Sequence, residues 1–362
     1  MAARRLANDA PTDAARDAAK DAARGGAGRA PSMSDVAALA GVSHQTVSRV
    51  LAGHPNVRPR TRARVLTAVA ELGYRPNTAA RTLATGRSRT LGVVSMNSTL
   101  YGPASTLYSI EAAAKLAGYF VTVASVRSFD RTSLHEATAR LLSQAVDGLV
   151  IIAPLASAVD ALRDLPTDTP VVAVDGDPAA HPAVVRVDQV TGARIATEHL
   201  LAAGHRTVWH IAGPPDWLDA QGRIAGWQDA LRQAHAEVPP LLNGDWSARS
   251  GYQAGQVLAR MPDVTAVFAA NDQMALGLLR ALGERCRLVP AEVSVVGFDD
   301  IPEAAFYTPP LTTVRQDFDA VGKRSLHMLV EQITAGPSGT GQVLVGTELI
   351  VRQSTGPAPR RA

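Results

Sequence analysis

A small all-helical head followed by a two-lobed α/β body with parallel sheets is the architecture this sequence predicts. Three observations lead there. The 362-residue chain is 46% hydrophobic, enough for a large core and for two or three domains. Its charge is divided: residues 1–90 carry 15 Lys/Arg against 6 Asp/Glu, a net of +9, whereas the remainder carries 21 against 27, a net of −6. From Thr90 onward, short apolar runs alternate with amphipathic stretches, as strands covered by helices do. No apolar run reaches the ~18 residues of a spanning helix; the best, Gly148 to Val159, is bounded by Asp147 and Asp160. A membrane protein is therefore not expected. The single cysteine, Cys286, excludes an intrachain disulfide and a CxxC metal site. Arg4 and Arg5 are followed by Ala and Asp repeats, not the apolar stretch of a signal peptide, so a reducing, cytoplasmic setting is expected.

A basic head on a mildly acidic body points to a polyanionic partner, nucleic acid or an anionic membrane. Residues 1–30 hold 12 Ala among interleaved Asp and Arg, with Leu6 the sole branched aliphatic residue. Such a tract buries too little apolar surface to offset the entropy of ordering. Residues 1–31 are expected to be a disordered tail, with an extra DNA-contacting arm as the alternative.

Residues 32–76 read as three helices. Ser34 is the expected N-cap of the first, with Val36, Ala37, Leu39 and Ala40 at helical spacing. Gly41-Val42-Ser43 breaks it, and Ser43 caps a second helix, His44 to Leu51, with Val47, Val50 and Leu51 on one face. Ala37, Gly41 and Val47 are small where two helices must cross closely. A third amphipathic helix, from about Thr61 to Leu72, turns Val65, Val69 and Leu72 inward. This is the spacing of a helix-turn-helix. In that motif the first exposed residues of the second helix meet base edges in the major groove. Here they are His44, Gln45 and Arg49; Gln suits adenine and Arg suits guanine. Ser43, Thr46, Ser48, Arg60 and Arg62 are suited to phosphate, although a solvated face would carry the same residue types.

After Gly73-Tyr-Arg-Pro76, the stretch Asn77 to Gly86 starts with a strong N-cap but is too short to be helical alone. It holds one large apolar residue, Leu83, among small ones such as Ala80. Such a segment folds when something covers it. Leu83 wedged into a minor groove would do so, and an ordinary linker is the alternative. Residues 77–88 are therefore read as a hinge helix and linker.

The run Ser34-Asp-Val-Ala-Ala-Leu-Ala-Gly-Val-Ser-His-Gln-Thr-Val-Ser-Arg-Val50, followed by Gly73-Tyr-Arg-Pro-Asn77 and Leu83-Ala84, resembles the DNA-binding head of the lactose/galactose repressor family of bacterial transcription regulators. A generic helix-turn-helix would not bring the Pro-Asn hinge with it.

Residues 89–355 form the expected body. Strands are read at Leu91–Ser95, Tyr119–Val126, Leu149–Ala153, Val171–Val174 and Val184–Val187, with helices near 105–117 and 132–144. A second set follows: a helix near 190–203, the strand Thr207–Ala212, a helix near 220–234, the strand Thr265–Ala269, a helix near 272–282 and the strand Val293–Gly297. Continuous apolar strands separated by helices mean parallel sheets covered on both faces. Two such sheets imply two lobes with a cleft, and ligands in such folds sit beyond the carboxyl ends of the strands. Asp175, Asn271-Asp272 and Asp299-Asp300 fall at those ends, Arg223 opens a helix, and Trp246 lies in a turn. Asp, Asn and Arg give the fixed donors and acceptors that sugar hydroxyls need, and an indole covers the C–H face of a pyranose. Each is also an ordinary cap or turn residue, Asp272 above all.

The resemblance extends through this region: Gly244-Asp-Trp-Ser-Ala-Arg-Ser-Gly251, Ala270-Asn-Asp-Gln-Met-Ala-Leu-Gly277, Val293-Ser-Val-Val-Gly-Phe-Asp-Asp300 and Pro309 to Phe318 are similar to the family's effector core. It implies a body of the periplasmic-binding-protein kind. It also implies effector contacts from Asp175, Arg223, Trp246, Asn271, Asp299, Gln316 and Phe318, and a wall from Leu100, Gly102 and Pro103. Met96 and Asp219 stand where the resemblance would put serines, and His44 where it would put tyrosine. No leucine heptads precede Ala362, so a homodimer is expected, and residues 356–362 are read as a flexible tail.

The function implied is a repressor that binds a pseudo-palindromic double-stranded operator as a homodimer. A sugar in the cleft, with a galactoside the leading candidate, then releases it. A purine-type or co-repressor-dependent regulator of the same family is the second reading, and a sugar-binding protein without a DNA role the third. Enzyme motifs are missing: neither G-x-G-x-x-G after a strand, nor G-x-x-x-x-G-K-[ST], nor G-x-S-x-G occurs, and Ala139 stands where H-E-x-x-H needs its second histidine. Asp299 and Asp300 are adjacent and should diverge. No enzyme, cofactor or metal is expected.

Overall fold

In the computed structural model, residues 30–51, 53–75, 86–96, 99–165, 168–336 and 341–360 are described. The chain divides at Gly86 into two units. The expected hinge residues Asn77, Ala80 and Leu83, and the tail 1–29, lie outside the described residues.

The first unit holds helices Met33–Ala40, His44–Leu51 and Pro59–Leu72. The first is capped by Ser32, not Ser34: Ser32 accepts from the Asp35 N–H while the Asp35 carboxylate accepts from the Ser32 N–H at 2.7 Å. This reciprocal box needs an acid three residues after the cap, and Ser34 has Ala37 there. Gly41 ends the helix at φ +60°, a conformation that favours glycine. Ser43 opens the second helix as expected, accepting from the Thr46 N–H at 3.2 Å. Pro59, preorganised for a first turn, starts the third helix two residues earlier than expected. Val36, Ala37, Val47, Val50, Val65 and Ala68 form the core, with Val69 and Leu72 at its margin. Arg64 ties the helices together by donating to the carbonyls of Ala40 and Gly41, the negative end of the first helix.

The second unit holds two six-stranded sheets, ordered β11-β5-β4-β3-β1-β2 and β12-β10-β9-β8-β6-β7. The first comprises β1 Thr90–Met96, β2 Phe120–Val126, β3 Gly148–Ile152, β4 Val171–Val174, β5 Ala183–Val187 and β11 Gly341–Val345, all parallel. The second comprises β6 Trp209–Ala212, β7 Leu242–Asn243, β8 Ala266–Ala269, β9 Ser294–Asp299, β10 Thr312–Gln316 and β12 Thr347–Ile350. It is parallel except for β12, which runs antiparallel to β10. Strands β3, β4, β8 and β9 are buried along their whole length, which is why they read as unbroken apolar runs.

The chain crosses between lobes after β5, after β10 and between β11 and β12. The first two crossings end in aspartates that cap the next helix: Asp188 accepts from the Thr191 N–H at 2.9 Å and Asp317 from the Ala320 N–H at 2.8 Å. The helix Phe318–Ala335 thus returns to the first lobe and packs on β3, β4 and β5. The close of the chain, expected to trail free from residue 356, is tied to the second lobe. Gly356 N–H donates to Ser294 Oγ at 3.0 Å and Ala358 N–H to the Ala203 carbonyl at 2.9 Å. Among the described residues, no helix is long and apolar enough to cross a membrane.

Candidate functional site

In the first unit, the turn projects one polar face. Ser43, His44, Gln45, Ser48 and Arg49 are exposed, as is Arg60 on the third helix, while Val47 and Val50 of the same short helix are buried. Thr46 is half-buried, and its hydroxyl meets that of Ser43 at 2.9 Å. Arg62, expected at phosphate, instead donates to the His54 carbonyl at 2.7 Å and braces the loop before the third helix.

In the second unit, the carboxyl ends of both sheets converge on Arg223. This residue does not open its helix; Leu218–Gln233 begins five residues earlier, so Arg223 sits in the second turn, 3% exposed. Its guanidinium lies over the Phe298 ring at 3.9 Å. Nε donates to Gln189 Oε1 at 2.9 Å, Nη1 donates to the Ala270 carbonyl, and Nη2 lies 3.6 Å from Asp299 Oδ1. Gln189 Nε2 donates to Gln316 Oε1 at 3.0 Å, and Gln316 Nε2 donates to Asp299 Oδ1 at 2.6 Å. The four side chains close a ring, and Gln189 and Gln316 stand at the two crossings capped by Asp188 and Asp317.

Asn271 caps the helix Asp272–Glu284 by accepting from the Met274 N–H at 2.8 Å, and its amide donates to the Trp246 carbonyl at 3.0 Å. Asp272 is therefore not the cap. It is fully buried, accepts from Thr313 Oγ1 at 2.6 Å and the Ile301 N–H at 2.9 Å, and fixes the turn after β9. Asp299 and Asp300 diverge as expected: Asp300 leaves the cleft for Arg315 at 2.7 Å and Arg352 at 2.5 Å. Trp246 rests over Gly213, where a Cβ would lie 2.2 Å from the indole. Asp175, Trp246, Asp299 and Asp300 all have positive φ, a costly backbone conformation concentrated where these side chains are aimed.

Leu100, Gly102, Pro103, Arg223, Trp246, Asn271, Asp299 and Gln316 line one cleft, together with Tyr101, Trp217 and Asp219. Phe318 stands behind the cleft, packed edge-on against Tyr101 at 5.8 Å, and lines a neighbouring groove of about 860 Å³ with Tyr108 and Arg315. Asp175 adjoins the cleft and interacts electrostatically with Asp219 and Arg223. Burial pushes the Asp175, Asp219 and Asp272 carboxyls above the usual range, and Asp299 to about 6 despite Arg223 and Gln316.

The cleft encloses only about 30 Å³, against the ~300 Å³ and more of typical ligand pockets. The lobes are drawn together. At the mouth, Ala156 N–H donates to the Asp216 carbonyl at 2.8 Å and Leu218 N–H to the Pro154 carbonyl at 2.9 Å. Ser157 Oγ adds a bond to Asp216 at 3.0 Å.

Sequence reasoning missed Gln189, Tyr101 and Trp217. Gln189 touches the site only through Arg223 and Gln316, so no motif announces it. The aromatic pair Trp217 and Trp246, T-shaped at 5.6 Å, was a legible signal in a chain with few aromatics.

A helix-turn-helix unit joined to a two-lobed body with a polar, aromatic-walled cleft is the build of a ligand-responsive regulator of DNA. The family model for bacterial regulatory proteins of the lacI family matches residues 32–77, and that for a periplasmic binding protein-like domain matches residues 197–355. The chain is 37% identical over 329 residues to the lactose operon repressor of Escherichia coli strain K12, covering 90% of each. It is 37% identical over 340 residues to the HTH-type transcriptional regulator CelR of Thermobifida fusca, covering 90% of this chain and 98% of that one. Among solved structures, a lac repressor dimer bound to operator and the anti-inducer ONPF matches with a TM-score of 0.81 at 35% identity, over 91% of this chain and 100% of that one. A CelR–cellobiose complex matches at 0.67 and 34% identity, over 90% and 99%. The chain belongs to the lacI family of bacterial regulatory proteins.

Proposed function

We propose that this protein is a cytoplasmic transcriptional repressor that binds a pseudo-palindromic operator as a homodimer and releases it when a sugar occupies the cleft. The observation that carries this is the Arg223 ring. It sets a buried guanidinium, carboxylates and amides beside two tryptophans, the donor and acceptor set of a polyol site. A galactoside is the leading sugar. The relatives named for lactose and CelR's complex with cellobiose support a glycoside. A purine-type effector is the second reading; the HTH-type transcriptional repressor PurR of Haemophilus influenzae PittGG is 31% identical.

On this reading His44, Gln45 and Arg49 meet base edges, and Ser43, Thr46, Ser48 and Arg60 meet phosphates. Asn77, Ala80 and Leu83 carry the hinge role on sequence grounds alone. The working division is a tail at 1–31, a head at 32–76, a hinge at 77–88 and an effector and dimerisation body at 89–355. Exposed apolar residues on the body support a dimer: Tyr108, Leu116 and Phe120 on the first lobe, with Leu116 86% exposed, and Val257 and Phe306 on the second. The sugar acts through its differential affinity for two arrangements of the lobes. The role is that of a regulator, with no catalytic step assigned to any residue.

Fluorescence anisotropy of a labelled operator duplex tests this. Operator-bound protein is titrated with a panel of sugars, and one is expected to release the DNA. Arg223→Ala, once bound to operator, is expected to remain bound at every sugar concentration. A retained sugar response in that variant would remove the cleft assignment.

A further inference from the structure

We propose that the effector bears a positive charge and is an aminated sugar whose ammonium group lies against Asp219 and Asp175. This rests on the reading of the cleft as a sugar site and narrows the class of sugar.

The charges around the cleft do not balance. Asp175, Asp219 and Asp299 gather around one guanidinium, and Arg223 is the only Lys or Arg among the described residues lining the cleft. Arg223 is already engaged by Gln189, the Ala270 carbonyl and Asp299. Asp299 also accepts from Gln316. Asp175 and Asp219 share the field of that same guanidinium, with no hydrogen bond to it among the described residues. Asp175 Oδ1 is buried and has no hydrogen-bond partner among the described residues. Asp219 stands in the cleft wall at the start of the helix that carries Arg223. Burial pushes both carboxyls up, Asp219 pushes Asp175 further, and Arg223 pulls both down only in part. Asp175 takes a backbone hydrogen bond from Val187, yet three carboxyls share one guanidinium, and a cation placed beside Asp175 and Asp219 offsets the cost of ionising them. A neutral polyol leaves that cost in place, and a sugar acid adds a further negative charge.

A second observation points to the rest of the ligand. Trp246 is 6% exposed and lines the same cleft, and its indole N–H has no acceptor among the described residues. An N–H donor cannot bond an ammonium, but it does bond a hydroxyl or ring oxygen. The perpendicular Trp217 and Trp246 rings, 5.6 Å apart, offer faces that attract both C–H groups and cations. One cleft thus asks for a hydroxylated, C–H-rich body and one positive charge. An aminated sugar supplies both.

The test is calorimetric titration of the full-length protein at pH 7 with methyl glucoside, galactoside and mannoside. Each is compared with its 2-amino-2-deoxy, 6-amino-6-deoxy and N-acetylated counterparts. One amine is expected to bind about tenfold or more tightly than both its neutral parent and its N-acetyl form, the size of one charge-assisted contact. In Asp219→Asn, which keeps the shape, and in Asp219→Ser, that advantage is expected to shrink to about threefold or less. Neutral sugars that bind as well as or better than their amines would overturn the inference and leave the sugar site standing. An amine advantage that survives both substitutions would overturn it as well. Failure of every sugar to bind or to release operator would refute the sugar reading itself, and this inference with it.

Discussion

Replacing Gln189 with leucine tests whether the ring, and not Arg223 alone, forms the sensing element. Gln189 is 7% exposed and touches no cleft lining except through its two partners, accepting from Arg223 Nε at 2.9 Å and donating to Gln316 Oε1 at 3.0 Å. Leucine has nearly the same volume, so the change removes two hydrogen bonds and leaves no hole. One of these is made to a charge, and such bonds contribute about 1.5–3 kcal/mol. Arg223 is 3% exposed, so water cannot take the vacated place beside Nε. A loss of about 2 kcal/mol is expected, which corresponds to roughly 30-fold in an equilibrium. Two measurements separate the outcomes. Denaturant unfolding should show the stability loss, and the sugar concentration for half-release of operator, read by anisotropy, should rise by roughly 30-fold. A variant that loses stability while its half-release point stays within about twofold of the parent would show that the ring is merely structural. A variant unchanged in both would refute the energetic reasoning.

Three further predictions follow from other parts of the molecule. His210 is fully buried, with Nδ1 2.9 Å from the Phe268 carbonyl, and burial pulls its pKa down to about 4. That lies below the unfolded value of about 6.5, so its stabilising contribution is complete above pH 6.5 and is lost as pH falls toward 4, by about 3 kcal/mol in all. The stability gap between the parent and His210→Gln, from urea titrations, should therefore narrow between pH 7 and pH 4.5, and a constant gap would contradict this. Gly213→Ala places a Cβ 2.2 Å from the Trp246 ring, so the indole must shift. Sugar affinity should fall at least about tenfold, and an unchanged titration would show that Trp246 does not wall the site. Arg64→Ala removes the guanidinium from the carbonyls of Ala40 and Gly41. Hydrogen exchange should quicken about tenfold through Met33–Leu51 while amides of β3 keep their protection, and equal change in both would deny Arg64 its local role.

The strand pattern was legible because a parallel sheet covered on both faces leaves its strands apolar throughout, and Val171–Val174 was read to the residue. Of the four marginal strands, β2 was read, but β7, β11 and β12 were not, and neither was the inner strand β10. Strand β11 is mostly exposed and β12 is exposed to half-buried, so neither presents an unbroken apolar run. The cap at Ser32 was missed for a different reason: two serines stand two residues apart, and only the partner acid decides between them. Much of the site was legible through the resemblance, and the strand-end position of Asp175, Asn271 and Asp299 supported it from the residues alone. Gln189 was beyond both. A glutamine whose work is to hold an arginine carries no spacing rule, and its role appears only when the two crossings are seen side by side.

That placement bears on how a small ligand can move large bodies. Each lobe has a close-packed core, Val93, Val150 and Val172 in one and Val267, Val295 and Leu278 in the other, and such cores transmit strain without bending. Adjustment must therefore fall on the polar contacts between lobes. Among the described residues these include the mouth bonds of residues 154–157 with residues 216–218; the ring, held within the second lobe, lies in the cleft that they close. The mouth bonds lie near the surface, where exchange with water makes each worth little. The ring is buried, charged and fixed to two crossings, so a ligand that rearranges Arg223 or Asp299 acts where the cost of misplacement is highest. The same reasoning explains the strained backbone at Asp175, Trp246 and Asp299. Backbone held that way fixes the point from which each side chain starts. On the proposed reading, the ligand is accommodated by movement of one lobe against the other.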